Sequence, residues 1–472
     1  MCTTLNGTAQ WAQMEFALAE LGDVRLSRRL VQVASAIAQC PSGTLPQALP
    51  QWSELKAAYR LFSNPKVSYE AIIEPHWQRT RQSCCEPGEY LFLEDATDLS
   101  FTTHRHTQGL GRLGEDHGYG LKLNTAIVAR VEAWTLDHNP EVRLLGIAAQ
   151  HCWARTGPPT CKIETSKSRL RRRRESEPWA RVYAQMPERP AGVSWIQIAD
   201  RDYDAYEVFE RCQAHGADFI VRAKSPRAVV SEARSSFEAA AQAPVRGGFE
   251  LELRARPELP ARVARVQVRT MALVVQGVWR PGGRRPDLSL NIIQVEEVDP
   301  PQDVEPIHWI LLTSLPCERW LEARRVVARY ARRWLVEEYH KALKSGAKVE
   351  ASQLESIDRL KPLIAVLAVV AIRLLNTKLL ARAQPDQAVD ADVFGPEAIR
   401  ILSARFGEPK NGWTHATLLI AIARMGGFLA RRGDGPPGWV TIWRGWSRLM
   451  TMVDGVKCLS KDFYGMAGSR CG

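Results

Sequence analysis

From Glu89 onward, the order of the hydrophobic periodicities limits what this chain can fold into. YLFLEDATDLSF is a short apolar run that ends in acids, and TAIVARVEAW and RLLGIAAQHCWAR read as two further strands turning at Asn139-Pro140. Then SWIQIADRD (strand), DAYEVFERCQAHG (helix) and DFIVRAKSPR (strand) follow. Strands first in a meander and then alternating with helices predict a mixed α/β sheet. Between about residues 224 and 306, ELELRARPELPARVARVQVRTMALVV and SLNIIQVEEV alternate apolar and polar around a PGGRRP turn, which predicts a β-rich insertion within that domain. HWILLTS returns to the core sheet, and one long helix is expected over about 318 to 346.

Helical segments flank this centre. LGDVRLSRRLVQVASAIAQ places Leu21, Leu26, Leu30, Val31, Val33 and Ile37 at near-helical spacing with Arg25, Arg28 and Arg29 interleaved. SELKAAYRLFSNP predicts a second short helix with Ser53 at its N-cap. The tail after 376 is helical and rich in Trp, Arg and Gly. The expected division is therefore 1–70, 71–375 and 376–472. A basic run, Arg169 to Arg174, precedes a helical pattern in ESEPWARVYAQM.

Lys and Arg number 63 against 52 Asp and Glu, a formal charge of +11, so a polyanion such as nucleic acid is the first partner to test. The ten cysteines show no CxxC or CxxxC spacing, which excludes a structural zinc pattern and a disulfide scaffold. The N-terminal residues lack the basic and apolar regions of a secretory signal. The most apolar run, Leu363 to Ile372, is half of what a bilayer needs and predicts a buried core helix. A cytoplasmic protein is expected.

Three acids stand out. Because side chains alternate along a strand, Leu91, Leu93 and Asp95 share one face, with Asp95 at the sheet's edge. Asp200 ends a second apolar strand ahead of a helix. Carboxylates at the ends of neighbouring strands can share hard divalent cations, although an Asp there also serves as a turn or helix cap. On the long helix, Tyr330, Arg333, Glu337 and Lys344 fall at roughly 0°, 300°, 340° and 320° at about 100° per residue. A core-facing stripe would be apolar. This one presents a hydroxyl, a guanidinium, a carboxylate and an ammonium, with Arg333 and Glu337 placed as an i,i+4 ion pair. Glu338 points about 100° away and is the weaker candidate. His104, His106 and His117 cluster in a loop without metal-ligand spacing.

These residues resemble a family. ALGDVRLSRRL, AYRLFSNPKVS, LEDATDLSF, IADRDYDAY, FIVRAKSPR, HWILLTS and YARRWLVEEYHKALKSGA occur in the order and with the separations of DDE transposases of bacterial insertion sequences. The likeness is to the insertion-sequence-four family and its Tn-five type, and it spans nearly the whole chain. Its most specific piece, Y-x2-R-x3-E-x6-K, is met by Tyr330, Arg333, Glu337 and Lys344.

The resemblance implies an RNase H-like catalytic domain with a β-rich insertion, between an all-helical N-terminal DNA-binding domain and a helical C-terminal dimerisation domain. It implies Asp95, Asp200 and Glu337 as catalytic metal ligands for two Mg²⁺ ions, with Mn²⁺ able to substitute. It matches Arg222, Lys224, Tyr330, Arg333 and Lys344 to positions that grip the transposon-end backbone, and Arg25 and Arg29 to the end-binding helix. Trp309 corresponds to the aromatic that captures a flipped base while a DNA hairpin forms. The partners implied are inverted-repeat and target DNA and a second copy of the chain; the activity is cut-and-paste transposition by nicking, hairpin formation, hairpin opening and strand transfer. Two alternatives stay open: a non-catalytic end-binding or inhibitory relative, and a structure-specific nuclease of the same fold. The run Arg169 to Arg174 matches no family motif.

Overall fold

The computed structural model describes residues 7–114, 118–155, 189–253, 261–280, 282–302, 304–389 and 396–466. The arginine run at 169–174, the helical pattern after it and His117 lie outside these residues.

Five helices open the chain: α1 (Gly7–Phe16), α2 (Val24–Gln39), α3 (Leu45–Ala48), α4 (Trp52–Phe62) and α5 (Tyr69–Ser83). Asp23 caps α2 by accepting from the Arg25 amide at 2.8 Å, and Leu30, Val33, Ala34 and Ile37 form its buried stripe. The N-cap of α4 is Gln51, not Ser53, which lies inside the first turn. His76 of α5 ties this layer to the sheet. Its Nε2 accepts from the Ile147 amide at 3.0 Å, so Nδ1 carries the proton and donates to Glu15 at 2.6 Å.

The central sheet has ten strands: β1 (Gly88–Ser100), β2 (Gly111–Leu113), β3 (Gly118–Trp134), β4 (Pro140–Trp153), β5 (Val193–Ala199), β6 (Asp218–Arg222), β7 (Val245–Leu253), β8 (Arg262–Val275), β11 (Leu288–Glu297) and β12 (His308–Thr313). β9 (Trp279–Arg280) and β10 (Gly283–Arg284) form a separate ribbon. The order is β2-β3-β1-β5-β6-β12-β11-β8-β7, with β4 also on β3. β1–β5 and β5–β6 are parallel, and the other pairs are antiparallel. α6 (Tyr206–Ala214) connects β5 to β6, and α7 (Ser236–Gln242) precedes β7.

The β-rich insertion extends the sheet. β12 pairs with β6 on one side and β11 on the other, so β11, β8 and β7 satisfy a strand edge that would otherwise be open. β1 is likewise interior, between β3 and β5, which corrects the expected position of Asp95 at the sheet's edge.

The expected long helix is three pieces: α8 (Trp320–Ala331), α9 (Trp334–Lys341) and a π-helical turn, Ala342–Gly346. Between α8 and α9 the amides of Arg332, Arg333, Leu335 and Val336 bond three residues back, and the Ala347 amide bonds five back to Ala342. The backbone thus tightens before Glu337 and loosens after it, departing from 100° per residue on both sides.

α10 (Ile357–Ala383) follows, with every residue from Leu363 to Ile372 buried. It is long and apolar enough to cross a membrane by composition, but apolar on all sides and buried it is a core helix. The chain ends in α11 (Pro396–Phe406), α12 (His415–Met425) and α13 (Trp439–Met466). α12 and α13 cross at two glycines. A Cβ on Gly426 would stand 1.8 Å from the Thr441 carbonyl oxygen, and one on Gly445 1.7 Å from that of Ile422. Gly445→Ala must therefore push the helices apart, at a cost of about 1–3 kcal/mol or more by thermal melt.

Candidate active site

The acids gather where β1 and β5 part. Parallel pairing of the two strands ends at Glu94 opposite Ala199, and the next residue on each is Asp95 and Asp200. The chain leaves β5 through a short 3₁₀ turn, Arg201–Tyr203, whose N-cap is Asp200; its Oδ1 accepts from the Asp202 amide at 2.9 Å. The cap role open from sequence is thus real, and it leaves the other carboxylate oxygen for a second partner.

Glu337 enters from the first turn of α9. Arg333, at the N-cap of that helix, bridges it to the strand: its guanidinium lies 3.3 Å from Asp95 Oδ2 and donates to Glu337. The Asp95 side chain is 17% exposed and that of Glu337 45%, so one acid is deep and the other open. Burial, and then the neighbouring Asp200, push the Asp95 carboxyl up to about 7; burial also raises Asp200. Asp200 and Glu337 both push the Asp95 carboxyl up, a repulsion that a cation would relieve. Among the described residues, as the side chains stand, no group of three His, Cys, Asp or Glu is placed to hold a metal ion. The cation now between Asp95 and Glu337 is the Arg333 guanidinium. An all-oxygen, mutually repelling donor set fits hard divalent ions rather than soft ones.

The other anticipated residues fall around this centre at different distances. Tyr330, buried near the end of α8, neighbours Arg333, Arg222 and Asp200. Trp309, second residue of β12, meets Tyr330 edge to face at 5.6 Å. Arg222 donates to the His308 carbonyl at 3.0 Å. Lys224 pairs with Asp202 at 2.7 Å, and both side chains are about 60% exposed. Lys344 lies on the π turn, 4.0 Å from Glu350. The single uniform helix is therefore corrected: Arg333 reaches Asp95 and Glu337, and Lys344 stands on the π turn, where the winding departs from about 100° per residue. Arg25 and Arg29 line a groove between α2 and α4 together with Arg60, and Arg25 pairs with Asp23 at 2.7 Å. His340 is buried and pushed down to about 3 by that burial, so it belongs to the core.

Two acids beside the predicted ones gain partners that spacing did not reveal. Glu94, fully buried, accepts from Asn124 at 3.0 Å and from Gln197, and burial pushes it up to about 8. Its place on the strand face opposite Asp95, flanked by Phe92, was the available signal. Glu338 accepts from Lys378 and Trp439, each at 2.7 Å, and nothing in the local sequence connects those three positions.

Three family models match the chain in succession: Transposase DNA-binding over residues 8–67, Transposase DDE domain over 185–372, and Transposase Tn5 dimerisation domain over 369–464. Asp200 and Glu337 fall inside the second match, and Asp95 precedes it. The helical N-terminal region, the RNase H-like central sheet and the helical C-terminal region follow the same order. DNA binding and dimer formation go with the first and third matches, and dependence on divalent metal with the second. The chain belongs to the DDE transposases of the Tn5 and insertion-sequence-four type, metal-dependent polynucleotidyl transferases with endonuclease activity.

Proposed function

We propose that this transposase moves its element by cut-and-paste, with Asp95, Asp200 and Glu337 holding two Mg²⁺ ions. The observation that carries the reading is the meeting of the two aspartates at the parting of β1 and β5, with Glu337 bridged to Asp95 through Arg333. When bound, paired ions activate the attacking oxygen and stabilise the leaving one in an in-line displacement at phosphorus.

The chain's own residues do the rest. Arg25 and Arg29 hold the inverted repeat at the groove between α2 and α4. Arg222, Lys224, Tyr330 and Lys344 take up the end's phosphates, and Arg333 exchanges its carboxylate partners for one of them; such contacts supply most of the affinity. One site then serves four displacements that differ only in nucleophile: water nicks the end, the freed 3′-OH forms a hairpin, water opens it, and the 3′-OH attacks target DNA. The helices after residue 376 pair two subunits, so two ends are cut in concert, in the bacterial cytoplasm at the nucleoid. Domain bounds of 1–70, 71–375 and 376–472 are part of this reading. Gly445→Ala, by separating α12 from α13, should then lose paired-end complexes in gel shifts while single-end binding persists.

Joining separates this function from its rivals. A precut, end-labelled inverted repeat incubated with supercoiled plasmid and Mg²⁺ should yield covalently joined products. A nuclease of the same fold would cut and not join; a non-catalytic relative would bind and do neither. Absence of joined product under conditions that support cutting overturns the proposal.

A further inference from the structure

Glu337 and Glu338 are neighbours in sequence and face opposite constituencies. Glu337 lies in the ion pair with Arg333 that reaches Asp95. Glu338, about 100° around α9, faces the C-terminal helices. Its Oε2 accepts from the Lys378 ammonium of α10 and from the Trp439 indole N–H of α13, both at 2.7 Å. Lys341 approaches its Oε1 at 3.3 Å. The Lys378 ammonium also lies 3.9 Å from the Trp439 ring centroid. The Lys378 side chain is 6% exposed and that of Glu338 14%, so this is a desolvated ion pair whose remaining acceptor capacity the indole helps to fill.

The clamp continues along α13. Trp439 stacks on Trp443 at 5.3 Å and 17°, and Trp443 sits against Gly346, where a Cβ would stand 2.8 Å from the indole nitrogen. α13 therefore touches both the helix that bears Glu337 and the π turn that ends it.

α9 needs such a hold. It has eight residues, starts where the backbone tightens to bonds three residues back, and ends in a turn bonded five back. Neither end passes on the rotation of a longer regular helix. A rotation by one residue's worth would carry Glu337 away from Asp95 and put Glu338 in another sector.

We propose that Glu338 is a positioning residue: the Lys378–Trp439 clamp from the C-terminal helices fixes the rotation of α9 so that Glu337 faces Asp95 and Asp200, and divalent-cation affinity at the acids therefore depends on where α13 sits. This rests on the reading of the three acids as metal ligands. Lys378 and Trp439 both fall within the region matched by the dimerisation model, so the segment that joins subunits also supports the metal site. Groups that orient a ligand without touching the ion typically change metal affinity 10- to 100-fold when removed.

The test is a Mn²⁺ titration of the full-length chain, reading free Mn²⁺ by electron paramagnetic resonance, beside a thermal melt and an end-binding isotherm. Trp439→Phe keeps an aromatic ring beside Lys378 and removes the N–H donor together with the five-membered half of the indole. The double change Glu338→Gln with Lys378→Met removes the clamp without leaving a buried charge unpaired. Both should bind Mn²⁺ about 10- to 100-fold more weakly, with wild-type melting and wild-type affinity for the end. A loss of Mn²⁺ affinity smaller than about 10-fold in either variant, or a fall that merely tracks a lower melting midpoint, overturns the inference. Asp95→Ala in the same titration distinguishes the two levels. If it also leaves Mn²⁺ binding intact, the ligand assignment itself fails; if it removes binding while the clamp variants do not, the positioning role alone fails.

Discussion

Asp95→Ala, Asp200→Ala and Glu337→Ala should each slow first-strand nicking by about a thousandfold or more while leaving affinity for the inverted repeat near wild type. The size follows from the proposed role of the acids as metal ligands: bound metal would stabilise the displacement by several kcal/mol, and about 4 kcal/mol is a factor of about a thousand. Binding is spared because it comes from lysine and arginine contacts to phosphate. The sequence separation of the three residues makes a shared structural defect an unsuitable explanation, since they stand on β1, at the end of β5 and on α9. Asp95→Ala removes one carboxylate partner of Arg333 and Glu337→Ala the other, so in each variant the guanidinium keeps one carboxylate and affinity for the end changes little. Asp200→Ala removes the cap on the Asp202 amide as well, and its melt must be run alongside. Ca²⁺, with longer bonds and more ligands, should support assembly with little cutting. Near wild-type nicking by any one of the three variants would remove that residue from the site.

The aspartates were legible because burial and chemistry change at one residue. Leu91, Phe92 and Leu93 are buried, and the pairing with β5 stops one residue before Asp95. The same is true of Ile196 to Ala199 ahead of Asp200. Strand register follows from alternation, so the faces came with it. The helix was less legible. Spacing at 100° per residue presumes uniform winding, and bonds three back before Glu337 and five back after it are set by packing, not by local propensity. Arg333, at the start of α9, meets Asp95 and Glu337, and Lys344, on the π turn, lies 4.0 Å from Glu350. Glu338 ranked as the weaker candidate because it points about 100° from Glu337, and its partners, 40 and 101 residues away, leave no periodicity to read. The continuity of β7, β8 and β11 with the main sheet was hidden for a related reason. Alternation announces strands, but which edge they complete depends on β12 lying between β6 and β11.

On the proposed hairpin route, Trp309→Ala should still nick the first strand and then accumulate nicked DNA, with hairpin formed about 5- to 150-fold more slowly. Hairpin formation bends the end sharply and unstacks its terminal bases. Flipping one base out costs a few kcal/mol, which an aromatic landing surface offsets by about 1–3 kcal/mol; that range converts to the stated factor. Trp309 is placed for such a role without being a ligand: its ring meets Tyr330 edge to face at 5.6 Å, and Tyr330 neighbours Arg333, which reaches Asp95 and Glu337. The face-to-edge contact uses part of the indole against the core, and the ring as a whole is only partly buried, leaving surface for a base. Packing alone gives a different outcome. If Trp309 only fills space beside Tyr330, its truncation lowers the melting midpoint and slows nicking and hairpin formation together. Trp309→Phe sharpens the comparison, since a smaller ring still stacks and should restore much of the hairpin rate. A time course on end-labelled DNA, run with melts of both variants, reads the two steps separately. Equal slowing of both would return Trp309 to the core, because stacking on a flipped base has no part in the first nick.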